Sequence, residues 1–325
     1  MTSLTIEMAR HACPRIALVE AERLARAARL RALVAGYVLL IVGILLLVDL
    51  VFRIDRSPNP HFEHDLAPST PHYEHDLARA QRFTMVAPSH LRLAYDAITR
   101  MNSNSSWIPG DIVECGVWKG GSSLLMALAH QRSASESRRY ARDFWLFDTY
   151  TGLPPPTKQD GQQTMELYRN VTAGRDRRRE EKGLVTRVPQ EQANGGPVAR
   201  WNYGPLEVVR GSMKKTIHPL GRSVHFVQGK VEDTLRARNV ALPTKIALLR
   251  LDTDWYGSTS AELEVLFDRI VPGGLLVIDD YCTWGGARGA VNDFFARRKW
   301  SALLSKAKRN TPCLHLRVPT SGSAT

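Results

Sequence analysis

Hydrophobic and polar positions divide the chain into three regimes. From Ala32 to Val48 every residue is apolar, aromatic or Gly, and Leu50-Val51-Phe52 extends the run past Asp49. At 1.5 Å per residue, about 21 helical residues reach roughly 30 Å, the thickness of a bilayer's hydrocarbon. The pattern therefore predicts a single transmembrane helix over 32–52, behind a basic segment 1–31. A cleaved signal peptide fits less well, because the preceding stretch is long for one and no Ala-x-Ala follows the run. Arg10, Arg15, Arg23, Arg26, Arg29 and Arg31 precede the span and only Arg53 and Arg56 follow it closely. The positive-inside rule then places the C-terminal part across the membrane. Sequons at Asn104 and Asn170 suit that placement.

The second regime, 53–81, reads as a linker. It contains a duplication in which Pro60-His61-Phe62-Glu63-His64-Asp65-Leu66-Ala67 recurs eleven residues on as Pro71-His72-Tyr73-Glu74-His75-Asp76-Leu77-Ala78. The two His-x-x-His pairs could ligate zinc, but a duplicated spacer requires no metal and is the reading adopted.

From Arg82 onward, short β-rich runs alternate with helical stretches, which predicts an α/β domain over 82–325 with a largely parallel sheet. Strands are expected at 111–117, 144–148, 224–228, 246–252 and 275–279, with a late edge strand at 313–318. Helices are expected at 122–131, 258–270 and 288–298. The stretch 151–204 breaks this rhythm, being long and rich in Pro, Gly and charge. Insertions of that kind are lids or disordered segments, and both readings stay open for 175–196.

Composition narrows the class. With 43% hydrophobic and 23% charged residues, the chain is neither wholly disordered, collagen-like nor a polytopic membrane protein. Four scattered cysteines without a Cys-x-x-Cys pair support neither a zinc ribbon nor a disulfide framework. The net charge of +12 comes from separate basic runs without an aromatic-interleaved face, so no nucleic-acid partner is expected.

Candidate chemistry sits at the carboxyl ends of the expected strands, where open α/β sheets bind ligands. The first runs into Glu114-Cys115-Gly116-Val117-Trp118-Lys119-Gly120-Gly121-Ser122, a glycine turn that lets backbone approach a ligand. It lacks the Gly-x-Gly-x-x-Gly of dinucleotide binders. The second ends in Phe147-Asp148-Thr149, an acidic position suited to ribose hydroxyls. The fourth ends Asp252-Thr253-Asp254 and the fifth Asp279-Asp280. If those strands are neighbours, Asp252, Asp279 and Asp280 converge and require a cation, and an all-oxygen set selects Mg²⁺ or Ca²⁺ over zinc. A metal there would act as a Lewis acid on a substrate hydroxyl, and Asp254 would serve as general base.

These segments, together with Phe-Asp-Thr-Tyr-Thr-Gly-Leu-Pro at 147–154, Gly-Lys-Val-Glu-Asp-Thr-Leu at 229–235 and the stretch 279–290, resemble the macrocin O-methyltransferase family. Thr84-Met85-Val86 and 201–213 look like its mouth segment and its lid-proximal helix. The resemblance covers roughly 82–295 and implies a Rossmann-like methyltransferase fold. It further implies S-adenosylmethionine- and Mg²⁺-dependent O-methylation of a sugar hydroxyl, and a homo-oligomer. By it, Asp252, Asp279 and Asp280 match metal ligands and Asp254 the base. Glu114, Gly116 and Ser122 match the methionine end of the cofactor site and Asp148 the ribose end. Val117, Trp118, Gly120 and Thr149 complete the cofactor set, with Val231 and Glu232 near the adenine. Where the family commonly has Gly-His before the Trp, this chain has Cys282-Thr283-Trp284.

The rival reading is a type II membrane glycosyltransferase, with Asp252-Thr253-Asp254 holding a divalent ion on a nucleotide sugar; it leaves the glycine turn and Asp148 unexplained. The side of the membrane also stays open. The flanking arginines favour a lumenal or exoplasmic domain, whereas cofactor supply favours the cytosol.

Overall fold

The computed structural model describes residues 71–103, 107–134, 142–189, 198–217, 223–305 and 314–319. All belong to the second of two units into which the chain divides, Leu66–Thr325. Six strands form the main sheet: β1 (Asp111–Cys115), β2 (Phe144–Asp148), β5 (Val224–Gln228), β6 (Ile246–Leu251), β7 (Ile270–Ile278) and β8 (Leu314–Arg317). Their spatial order is β5-β2-β1-β6-β7-β8, and only β8 runs antiparallel. Buried on both faces, β6 reads Ile-Ala-Leu-Leu-Arg-Leu, the near-continuous apolar run that a central parallel strand requires.

Helices cover both faces in two groups. One comprises α1 (Pro71–Ala80), α2 (Pro88–Met101), α3 (Gly121–Ala134) and α6 (Leu206–Ile217); the other comprises α7 (Val231–Thr234), α8 (Tyr256–Leu266), α9 (Gly285–Arg297) and α10 (Ser301–Ser305). Strand alternation sends Val113, Cys115, Leu249, Leu251, Leu276 and Ile278 into one core with Leu263, Phe294 and Phe295 of α8 and α9. The intervening residues, Glu114 and Arg250 among them, point to the opposite face. β1 and β6 are neighbours although the chain winds outward from them in opposite directions, so the switch point that opens a ligand crevice lies at their carboxyl ends.

Two expectations are corrected. The membrane helix at 32–52 lies outside the described residues, and among those described no helix is long and apolar enough to cross a membrane. The longest, α2 and α3, have 14 residues, about 21 Å against the roughly 30 Å needed. Single-pass membrane localisation is not retained. Second, the linker expected up to residue 81 ends earlier, because the second copy of the duplication is α1, packed on the domain through buried Tyr73, Asp76, Leu77 and Ala80. Cys282 is disulfide-bonded.

The insertion is folded where it is described. It forms α4 (Gln162–Thr172), α5 (Arg177–Glu181) and an antiparallel hairpin of β3 (Val185–Val188) and β4 (Val198–Trp201). Val171, Val185, Ala199 and Trp201 make its own small core, joined by Trp255 from the main domain. Asp160 accepts the Tyr256 amide at 2.6 Å, and the Trp255 indole donates to the Pro154 carbonyl at 2.9 Å, pinning the insertion to the start of α8.

Candidate active site

The carboxyl ends of β1, β2, β6 and β7 open into a cavity of about 450 Å³. Its wall contains Gly116, Val117, Trp118, Ser122, Asp148, Thr149, Val231 and Glu232 of the expected cofactor set. Asp252, Asp254, Asp279 and Asp280 line it too. Glu114 and Gly120 do not. Gly120 turns its backbone toward Val209 of α6 instead.

Glu114 lies behind the wall, fully buried, and accepts Ser122 Oγ, Ser123 Oγ and Arg250 Nη1. Burial raises its carboxyl above the usual range, against the opposing pull of Arg250 and the two serines. Arg250, directly opposite Glu114 in the β1–β6 pairing, is only 4% exposed. Its Nη1 also reaches Asp252 Oδ2 at 2.8 Å, and its Nη2 lies 3.2 Å from Asp279 Oδ1. This arginine was missed in the sequence, although a lone charge inside an apolar strand signals a buried partner.

The carboxylate cluster forms as expected: oxygens of Asp252, Asp279 and Asp280 all lie within 4.8 Å of one another. Burial pushes Asp252 up to about 7; Arg250 opposes the rise and Asp279 adds to it. Burial also acts to raise Asp279, but Arg250 and His90 outweigh it and hold that carboxyl below its ordinary value. Asp280 is raised by burial and by the charges of Asp254 and Asp252. Asp254 stands beside this trio rather than in it. It sits at φ +68°, a left-handed conformation uncommon outside Gly, Asn and Asp, with its amide donating to Asp280 Oδ2 at 2.9 Å. Burial and Asp252 raise its carboxyl, while a hydrogen bond from Trp284 lowers it.

The turn after β1 is drawn tightly against β6. Gly116 has φ +84°, and a Cβ there would collide with the Asp252 carbonyl. Asp148 Oδ2 accepts the amides of Val117 at 2.6 Å and Trp118 at 2.9 Å, while Oδ1 accepts the Tyr150 amide at 2.6 Å. The carboxylate expected to meet a ribose thus also fixes the glycine turn.

The remaining wall comes from places the sequence did not single out. His90, in the first turn of α2, brings Nδ1 to 3.4 Å from Asp279 Oδ1. The insertion supplies Arg179, Leu184, Trp201 and Asn202. Trp201, Trp255 and Trp284 meet edge to face, with ring centres 5.2–6.2 Å apart. No periodicity in the sequence announces contacts among residues so far apart in the chain.

Similarity to known proteins places the chain. The O-methyltransferase NovP superposes with a TM-score of 0.53 at 22% identity, over 73% of this chain and 83% of that one, and so shares the Rossmann-like α/β fold. A tetracenomycin 4'-O-methyltransferase of Streptomyces olivaceus, acting on a dimethoxyrhamnosyl derivative, is 32% identical over 191 residues, 58% of this chain and 59% of its own length. The mycinamicin III 3''-O-methyltransferase of Micromonospora griseorubida is 29% identical over 187 residues, 58% of this chain and 61% of its own. The chain thus spans about three fifths of these two relatives. The family described as macrocin O-methyltransferase (TylF) matches residues 63–180 and 199–311, taking in the glycine turn and every carboxylate of the cavity, and the chain belongs to that family.

Proposed function

We propose that this chain transfers a methyl group from S-adenosylmethionine to a hydroxyl of a sugar-containing acceptor, with Mg²⁺ held by Asp252, Asp279 and Asp280 and Asp254 as general base. The observation that carries the reading is the group of Asp252, Asp254, Asp279 and Asp280 in one cavity, set beside the glycine turn of a family whose relatives are named for O-methylation.

The residues fit the metal. All three donors are hard oxygens within 4.8 Å of one another, and burial, with like charges adding to it, raises two of them, a strain that a divalent cation relieves. When bound, Mg²⁺ supplies Lewis-acid polarisation of the acceptor oxygen, and S-adenosylmethionine supplies an electrophilic methyl. The cofactor fits the wall from Gly116 to Ser122, with Asp148 and Thr149 toward its ribose and Val231 and Glu232 toward its base.

The chain's own groups do the rest. The Asp254 carboxylate takes the acceptor's proton, and its raised basicity, which comes from burial and Asp252, strengthens it for that task. The Trp284 indole hydrogen bond orients it. Arg250 keeps Asp279 ionised while Glu114 holds the guanidinium in place. Trp201 and Trp284, both in the cavity wall, offer apolar ring surface for a sugar face.

The glycosyltransferase reading loses its main support, because Asp252 clusters with Asp279 and Asp280 rather than with Asp254 among the described residues. The test is calorimetric titration of S-adenosylmethionine, followed by radiolabelled methyl transfer to rhamnosyl glycosides with and without Mg²⁺. Binding, and turnover lost on chelation, are expected. Folded protein that binds no S-adenosylmethionine would overturn the activity, and turnover indifferent to chelator would overturn the metal.

A further inference from the structure

Two buried polar atoms on residues of the cavity wall have no hydrogen-bond partner among the described residues: Nε1 of Trp118 and Oδ1 of Asn202. One is a donor and the other an acceptor, and a buried polar group left unpaired is destabilising. Both residues are fixed through their backbones. Trp118 has φ +50°, and its amide donates to Asp148 Oδ2 at 2.9 Å. Asn202 has φ +51°, a conformation that Asn tolerates, and its amide donates to the Leu184 carbonyl at 2.7 Å, where the β3–β4 hairpin ends.

The fold brings the two residues to the same part of the wall. Gly204, two residues beyond Asn202, lies so close to the glycine turn that a Cβ there would collide with the Trp118 carbonyl. Indole and amide are complementary, yet they are not bonded to each other. A ligand group that accepts from the indole and donates to the amide satisfies both. A hydroxyl does this, and it pairs with Asn202 in either orientation of the amide. A charged group fits less well, because a neutral indole and a neutral amide supply no counter-charge at a buried position.

The surroundings of Asn202 place that hydroxyl on the acceptor. Trp201, its neighbour in the chain, meets the Trp284 ring at 6.1 Å, and Trp284 hydrogen-bonds Asp254, the proposed base. Arg179, the cation that the insertion contributes to the wall, lies over the Trp201 ring and is already paired with Asp176. What the insertion offers an acceptor is therefore an uncommitted amide, not an uncommitted charge.

We infer that Asn202 and the Trp118 indole determine acceptor specificity by hydrogen-bonding a sugar hydroxyl other than the one methylated. The site then selects a neutral, polyhydroxylated ring and rejects the analogue that lacks this hydroxyl. The inference rests on the sugar acceptor proposed above and not on the methyl donor.

Calorimetric titration of methyl α-L-rhamnoside and its monodeoxy analogues into the full chain, with S-adenosylhomocysteine and Mg²⁺ present, tests it. The parent should bind one analogue at least about tenfold more weakly than the rhamnoside, because both wall atoms are left unpaired again. Asn202→Gly keeps the left-handed backbone and removes the amide, while Trp118→Phe keeps a ring and removes the donor. Each should shrink that ratio by about threefold or more, the worth of one hydrogen bond. Asn202→Gly should bind S-adenosylmethionine as the parent does. A parent that binds no rhamnoside, or binds all the analogues alike, overturns the inference, as does a ratio unchanged in Asn202→Gly. Loss of S-adenosylmethionine affinity in Asn202→Gly also overturns it, by giving the pair to the cofactor. A parent that binds no S-adenosylmethionine, with the sugar ratio present and reduced in both variants, would sink the methyl donor alone and uphold the hydroxyl site.

Discussion

Arg250 Nη1 donates to Glu114 Oε1 at 2.8 Å across the β1–β6 pairing, and the carboxylate it meets is wholly shut off from solvent. This link joins the two halves of the site. Glu114 is held by Ser122 and Ser123 at the start of α3, behind the cofactor turn, while Arg250 holds Asp252 and Asp279 at the metal end. Removing one partner leaves an unpaired buried charge, so Arg250→Met should cost about 3–5 kcal/mol of stability. Adding Glu114→Gln should recover part of that loss, because no unpaired charge then remains at the pair. Urea unfolding of the two variants checks both signs.

Asp254 lines the cavity beside the clustered trio without belonging to it, and its left-handed backbone suits Asn as well as Asp. Asp254→Asn should therefore fold and bind S-adenosylmethionine normally yet lose about 10²–10⁴-fold in kcat, the usual worth of a general base. Steady-state kinetics beside calorimetry would show it. An unchanged kcat would mean that the proton leaves by another route.

The approach of the first turn to β6 leaves no room for a side chain. Gly116→Ala meets both an unfavourable φ of +84° and the Asp252 carbonyl. The expected outcome is loss of S-adenosylmethionine affinity by at least about tenfold, with Asp252 displaced from its place in the cluster. Retained affinity would mean that the backbone shifts without disturbing the turn.

Much of this site is legible in the sequence because buried parallel strands read as apolar runs, so the acidic residues that end them stand out. Asp252, Asp254, Asp279 and Asp280 were visible in that way, as was the glycine turn. Glu114 was visible too, but its direction was not: strand alternation turns it behind the wall rather than into the cavity. α1 was hidden for a different reason. Its docking face carries a charge, Asp76, whose partner Arg132 lies 56 residues away, so the stripe of Tyr73, Leu77 and Ala80 does not read as an apolar face. The tryptophans at 201, 255 and 284 come together only through the folded insertion, and no local pattern encodes that.

Glu262 offers a pH test away from the carboxylate trio. It is fully buried on α8, with Thr253 Oγ1 donating to Oε1 at 2.9 Å and the Cys115 thiol also hydrogen-bonded to its carboxyl. Burial raises its carboxyl well above the ordinary 4.5; the Thr253 hydrogen bond opposes this, and the charges of Glu232 and Asp252 add to it. A carboxyl raised on folding makes the native state bind more protons than the unfolded chain. Its stabilising contribution is complete below the unfolded value and is lost as pH climbs toward the folded one. Glu262→Gln replaces the neutral acid with a neutral amide and removes that dependence. The variant should melt close to the parent near pH 5 and above it at pH 8, by about 2–4 °C for each kcal/mol of relieved strain. Calorimetric scans at the two pH values decide the point, and a variant that loses ground as pH rises would show that Glu262 is ionised in the folded protein and stabilised by its surroundings.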